Sequence, residues 1–267
     1  MMEERIKASL LEIERDEGVQ IFYACESGSR AWGFPSADSD YDVRFLYVRP
    51  RNWYLSVDVE RRRDVIERPI TDELDVSGWD IRKALMLLKK SNPPLLEWLG
   101  SPIIYRKTFT IADRLRRLLP EYYSPTACLH HYLHMARGNY REYLKGDTVR
   151  LKKYFYVLRP VLAIKWIEEC DEVVPTEFGV LVERIIKDNE LKATIADLIE
   201  RKRNGCELDR GTVIPRISDF IKAELERLEK NSFEYETPKT TTEKLNEVFR
   251  DSLTEVWGDG AQGVKKQ

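Results

Sequence analysis

Two short β-forming runs, joined by a glycine-serine step and closed by paired aspartates, constrain this chain more than any other feature. Val19 to Cys25 is apolar and rich in β-formers (Val19, Ile21, Phe22, Tyr23), as a buried strand is. Glu26-Ser27-Gly28-Ser29-Arg30-Ala31-Trp32-Gly33 breaks that run, and Phe34-Pro35-Ser36-Ala37-Asp38-Ser39 reads as a polar loop. A second strand is expected from about Asp40 to Val48. Gly28 and Ser29 are small enough for a sharp turn that offers N–H groups to an anion, aided by a helix expected to begin there. Strand period two puts Asp40 and Asp42 on one face, about 6–7 Å apart. At an effective dielectric of about 20 their repulsion is about 2–3 kcal/mol, which a purely structural strand has no reason to carry. A divalent cation removes it. Mg²⁺ takes one or two carboxylates plus phosphate oxygens, so Asp40 and Asp42 after a glycine turn describe a metal–triphosphate site. A third carboxylate is expected on a neighbouring strand, and Leu74-Asp75-Val76 offers one. The bland alternative is a glycine-turn hairpin with two solvated aspartates.

The whole chain suits such a site only locally. Its 267 residues carry 44 Lys+Arg against 46 Asp+Glu, a net charge of −2, so a uniformly basic nucleic-acid coat is excluded. With 42% apolar and 10% aromatic residues it can bury a sizeable core in one large or two modest domains. No apolar run approaches a membrane span, and Met1-Met2-Glu3-Glu4-Arg5 opens no signal peptide. Cys25, Cys128, Cys170 and Cys206 are far apart and read as reduced thiols. The expected compartment is the cytoplasm, with no membrane partner.

The first part reads as mixed α and β. Ile6, Leu10 and Ile13 recur at helical spacing, with Gly18 as the stop. A hairpin is expected from about Asp64 to Ser77, turning at Pro69-Ile70-Thr71-Asp72. Asp80 to Lys90 is a helix with Ile81, Ala84, Leu85 and Leu88 on one face, and Asp80 is its expected N-cap. Ser91-Asn92-Pro93-Pro94 starts a second short helix. From about Pro120 onward, helices are expected at 126–145, 150–170, 176–187, 190–203 and 216–230, punctuated by Pro120, Pro160, Pro175 and Pro215. Pro160 is expected to kink or end its helix. The class is therefore α+β: a mixed-sheet unit over 1–119, an all-helical unit over 120–257, and a disordered tail over 258–267.

Gly28-Ser29, Asp40-Tyr41-Asp42 and Leu74-Asp75-Val76 together resemble the DNA polymerase β-type nucleotidyltransferase superfamily. The strings GSRAWGFPSADSDYDVRFLYV (28–48), WDIRKALMLLKKSNPPLLEWLGSP (79–102) and LKKYFYVLRPVLAIKWIEE (151–169) are closer to one branch. That branch is the bacterial and phage nucleotidyltransferase family linked to RNA repair (RlaP-like). The resemblance spans about residues 20–185. It implies a nucleotidyltransferase fold in which Gly28 and Ser29 hold a triphosphate and Asp40 and Asp42 bind metals, with Asp75 as the third acid. In-line displacement at the α-phosphate with two Mg²⁺ or Mn²⁺ ions would need just such shared carboxylates. Arg30 and Arg44 are candidates for phosphate contacts. Arg44 shares the aspartates' face by period two, so it also reads as an ion pair that calms them.

A second signal lies in the helical half. Between Arg137 and Lys165 stand eight basic residues (Arg137, Arg141, Lys145, Arg150, Lys152, Lys153, Arg159, Lys165) against Glu142 and Asp147, interleaved with Tyr140, Tyr143, Tyr154, Phe155 and Tyr156. Such a mixture holds phosphates and stacks bases. Lys152, Lys153 and Tyr156 are the nucleotide-binding candidates, because Lys152 and Tyr156 share one helical face. The alternative is a solvated basic face with the aromatic residues in the core. His130, His131 and His134 lack an H-E-x-x-H pattern, and no metal role is expected for them. The expected activity is transfer of a nucleoside monophosphate from an NTP to an acceptor hydroxyl, with release of pyrophosphate; the family suggests an RNA end as acceptor. The alternatives are a non-catalytic nucleotide- or RNA-binding module, and transfer to a protein or small molecule.

Overall fold

The computed structural model describes residues 2–205, 210–230, 233, 235, 238 and 240–258. Helix α1 (Met2–Glu17) buries Ile6, Leu10 and Ile13, and Gly18 ends it at φ +62°. Strand β1 (Gln20–Glu26) follows, then the one-turn α2 (Gly28–Ala31), β2 (Tyr41–Val48) and α3 (Arg51–Tyr54). The expected hairpin forms from β3 (Val65–Glu67) and β4 (Leu74–Asp80), and Asp72 and Glu73 take positive φ at its turn. Asp80 caps α4 (Ile81–Lys89) by accepting the Arg82 N–H, and Asn92 caps α5 (Pro93–Leu99). β5 (Ile104–Lys107) and α6 (Ile111–Tyr122) complete the first half.

The sheet order is β3-β4-β2-β1-β5, with β2 and β4 parallel and the other pairs antiparallel. α1 covers one face, packing Ile6, Leu10 and Ile13 on Val43, Phe45 and Val76. The opposite face carries Phe22, Leu46 and Val48 against α4, α5 and α6, and this core runs on without a break into the later helices. Those are α7 (Pro125–Tyr143), α8 (Lys153–Cys170), α9 (Phe178–Ile185), α10 (Asn189–Arg203), α11 (Pro215–Lys230) and α12 (Glu243–Trp257). The two-residue strands β6 (Thr148–Val149) and β7 (Gly211–Thr212) pair with each other.

The boundary expected at residue 119 falls inside α6, a helix that continues past Pro120. α12 returns to the first half, where Phe249 packs edge-on against Tyr54 and Glu255 accepts the Thr110 N–H. Pro160 does not end α8; Asn139 Nδ2 donates to the Tyr156 carbonyl, the acceptor that proline leaves without its helical N–H. The tail at 259–267 and Cys206 lie outside the described residues. Cys25, Cys128 and Cys170 are free thiols. Among the described residues no helix is long and apolar enough to cross a membrane.

Candidate active site

The end of β1 and the start of β2 are tied by two reciprocal bonds. Ser27 N–H donates to the Asp42 carbonyl at 2.8 Å, and Asp42 N–H donates to Glu26 Oε1 at 2.7 Å. Between them Gly28 sits at φ +58°, and a Cβ there would lie 2.0 Å from Asp42 Oδ2. Only glycine fits that position, for backbone and steric reasons together. The N–H groups of the first turn of α2, from Gly28 onward, have no intrahelical acceptor.

The parallel register sets Asp42 beside Asp75. Both carboxylates point to the same face of the sheet, and Arg44 lies between them. Its Nη2 donates to Asp42 Oδ1 at 3.0 Å and to Asp75 Oδ2 at 2.7 Å, while Nη1 donates to the Asp75 carbonyl at 3.1 Å. Burial raises the pKa of Asp42; Arg44 opposes that shift, and the charges of Asp75 and Asp40 add to it. So the structure contains the ion pair that the sequence offered as one of two roles for Arg44. Among the described residues no group of three or more His, Cys, Asp or Glu side chains stands ready around a metal position.

Asp40 differs from expectation in one respect. β2 begins at Tyr41, so Asp40 is an exposed loop residue next to the strand and not part of it. Arg30 is occupied with the same loop. Its Nε donates to the Asp40 carbonyl and its Nη2 to the Ser39 carbonyl, with the guanidinium 3.6 Å from the Tyr41 ring centroid. Ser29 lies in the first turn of α2, half-buried.

Against Trp32, just past α2, stands the start of α8. Tyr156 is 42% exposed, lies edge-on to Trp32, and has its pKa raised by burial and by the charges of Asp42 and Asp40. Lys153 holds its ammonium 4.2 Å from the Tyr156 ring and 4.4 Å from the Tyr143 ring. Burial lowers its pKa, with Lys152 and Arg150 acting the same way. Lys152 is exposed and lies within electrostatic reach of Asp38 and Lys202.

The basic cluster is not one surface. Arg159 is buried and paired with Glu97 at 2.6 Å, and Lys165 is paired with Glu224 at 2.9 Å. Tyr154 and Phe155 are core residues. His130 and His134 are exposed helix residues.

Two site neighbours were missed. Glu26, fully buried, is the acceptor for the Asp42 N–H and takes the Tyr105 hydroxyl on its other oxygen. Its signal was an acid directly after an apolar run. Lys202, at the end of α10, donates to the Phe34 carbonyl at 3.2 Å; burial pushes its pKa down to about 8, with Asp38 opposing and Lys152 and Arg30 assisting. Nothing local in the sequence marks it.

A family model described as the RNA repair pathway DNA polymerase beta family (RlaP) matches residues 2–251. The "Uncharacterized protein YcgL" of Bacillus subtilis (strain 168) is 52% identical over 260 residues, covering 97% of this chain and 99% of that protein. Among solved structures, a nucleotidyltransferase-like protein from Exiguobacterium sibiricum 255-15 aligns over 100% of this chain and 96% of its own, with 14% identity and a TM-score of 0.32.

Proposed function

The chain belongs to the RNA repair pathway DNA polymerase β family, a nucleotidyltransferase family, and from that premise we propose that it moves a nucleoside monophosphate from an NTP to the hydroxyl of an RNA end. The observation that carries this reading is the pairing of Asp42 with Asp75 across parallel strands, with the Gly28 backbone pressed on the Asp42 carboxylate.

The family generally uses divalent metals, and the donor set here suits them. Asp42 and Asp75 already share one cation, the Arg44 guanidinium, and exposed Asp40 adds a third hard oxygen donor. In this proposal Asp40, Asp42 and Asp75 hold two Mg²⁺ or Mn²⁺ ions, and Arg44 turns from the carboxylates to the nucleotide's phosphates. When bound, such ions acidify the attacking hydroxyl and neutralise the leaving pyrophosphate. The acceptor oxygen bonds to the α-phosphorus, the bond to the oxygen bridging to the β-phosphate breaks, and pyrophosphate departs. Asp75 would take the hydroxyl proton.

Gly28 and Ser29 would present their backbone to the triphosphate. Lys152, Lys153 and Lys202 would line the opposite rim, and the Tyr156 ring would stack on base or sugar. Arg30 would act through the loop that carries Asp40. The sheet unit and the later helices would then share the nucleotide. Reduced thiols at Cys25, Cys128 and Cys170 fit a cytoplasmic enzyme.

The test incubates the protein with Mg²⁺ or Mn²⁺, labelled NTPs and a panel of RNAs. Label should move to RNA in the parent and not in Asp42→Ala. Transfer only to a protein or small-molecule acceptor would redirect the reading, and NTP binding without any transfer would refute it.

A further inference from the structure

Outside the rim described above, α7 and α11 enclose a groove of about 300 Å³. Arg137 and Arg141, one turn apart on α7, line it with Lys145 just past that helix and Lys222 from α11. Among the described residues none of these four cations has an ion pair or hydrogen bond. The contrast with their neighbours is informative. Across the adjoining α8–α11 contact, Lys165 is paired with Glu224, and Arg227 with Glu168 and Glu224. Glu226 and Glu229 line the groove too, yet neither closes on a cation. A helix C-terminus attracts basic residues, which accounts for Arg141 and Lys145. It does not account for Arg137, two turns from the end, or for Lys222 on another helix.

Side chains along α7 lead from the groove wall toward the candidate active site. Tyr140, half-buried, forms part of its wall. One turn further along α7, the Tyr143 ring contacts the Lys153 ammonium, whose other side is Tyr156, the ring that feels Asp40 and Asp42. Steps of four residues on a helix advance about 6 Å, comparable with the spacing of successive phosphates along a strand. Unpaired cations with an aromatic face among them suit single-stranded nucleic acid, whose bases are free to stack.

We infer that the α7–α11 groove holds the backbone of a single-stranded RNA whose end lies at Asp42 and Asp75. This rests on the RNA-acceptor reading above and assigns it a surface separate from the triphosphate rim.

The experiment measures binding of a labelled oligouridylate of about a dozen nucleotides over a salt series, without metal or NTP. The variants are the full chain carrying Arg137→Gln, Arg141→Gln and Lys222→Gln together, and a charge-keeping set carrying Arg137→Lys, Arg141→Lys and Lys222→Arg. Each neutralised phosphate contact on single strands adds about 0.7 to the salt slope, so the Gln set should lower it by about 2 and weaken low-salt binding at least tenfold. The charge-keeping set should retain the slope, and ATP affinity should be unchanged in both. An unchanged slope in the Gln set, or a parent that does not bind the oligouridylate, overturns the groove. A duplex bound as tightly as the single strand and lost equally overturns the single-strand assignment. The two readings fail separately. A parent that binds RNA through the groove but transfers no nucleotide refutes only the enzyme reading, and a parent that transfers nucleotide with groove-independent RNA affinity refutes only this one.

Discussion

The backbone N–H of Asp42 is held by the side chain of Glu26, at 2.7 Å from Oε1, while the Tyr105 hydroxyl holds the other oxygen. A buried carboxylate thus fixes the residue at the head of β2, and Asp42 cannot shift without giving up that acceptor. Glu26→Ala should leave a buried N–H unsatisfied, at about 1–3 kcal/mol, and lower kcat at least tenfold by loosening Asp42. Glu26→Gln keeps an oxygen for the N–H, and its amide can donate to Tyr105, so it should recover most of both losses. Urea unfolding and NTP kinetics on the pair check this. A Gln variant as impaired as the Ala variant would show that the carboxylate acts by charge and not by position.

Gly28→Ala makes a sharper demand. The new methyl would meet Asp42 Oδ2 at 2.0 Å, at φ +58°. The strained backbone should cost about 1–3 kcal/mol. The larger effect should be on turnover, because the carboxylate has to leave its place beside Asp75. The measurement is kcat next to the melting temperature; normal turnover in a folded variant would separate Gly28 from the chemistry.

Asp75 and Asp80 lie five residues apart on β4, at opposite ends of the strand, and should behave oppositely. Asp75→Asn should lower kcat about a hundredfold or more, the scale of losing a proton-transfer group. Arg44 keeps Asp42 as a partner, so stability should change little. Asp80 is buried, accepting Arg82 N–H at 2.8 Å and the Tyr54 hydroxyl at 2.7 Å, and burial pushes its pKa up to about 6. The folded protein therefore binds a proton that the unfolded chain has released between about pH 4 and pH 6. Stability from this group is greatest below that window and falls as pH rises through about 6. Asp80→Asn keeps the cap and abolishes that slope. Urea midpoints at pH 5 and 7.5 distinguish the outcomes, and an unaltered pH dependence in the variant would remove Asp80 as the source.

These residues also show what a sequence can reveal. Ile6, Leu10 and Ile13 gave α1 because helix period is local, and Asp80 was readable as a cap because capping needs only its neighbours. Asp42 and Asp75 were readable as partners because each stands at the head of a β-forming run. Asp40 reads from the sequence as part of the strand because period two carries no mark of where pairing starts. Arg159 reads from the sequence as one of the basic cluster because nothing near it names Glu97 as its buried partner. α6 and α12 are not legible in the same way, and α12 returns to the sheet unit from the far end of the chain. Lys202 depends on the same kind of long-range packing: only the folded chain brings the end of α10 to Phe34.

Lys202 gives the last prediction, and its sign can be worked out beforehand. Burial holds its pKa down at about 8, so in the free enzyme the ammonium is lost as pH rises through about 8. If it attracts the triphosphate, kcat/KM for NTP should fall across that range, since kcat/KM follows groups on the free enzyme. Stability should move the other way. Between about 8 and the ordinary lysine value the unfolded chain holds the extra proton, so this group's contribution to stability increases with pH there. Activity lost while the fold becomes no weaker cannot be attributed to unfolding. Lys202→Arg stays protonated and should remove the break near 8. Lys202→Gln should be weaker at every pH, with no break of its own. Parallel pH profiles of kcat/KM and of urea midpoint decide the matter. A break near 8 that persists in Lys202→Gln would assign the titration to another group and release Lys202 from the site.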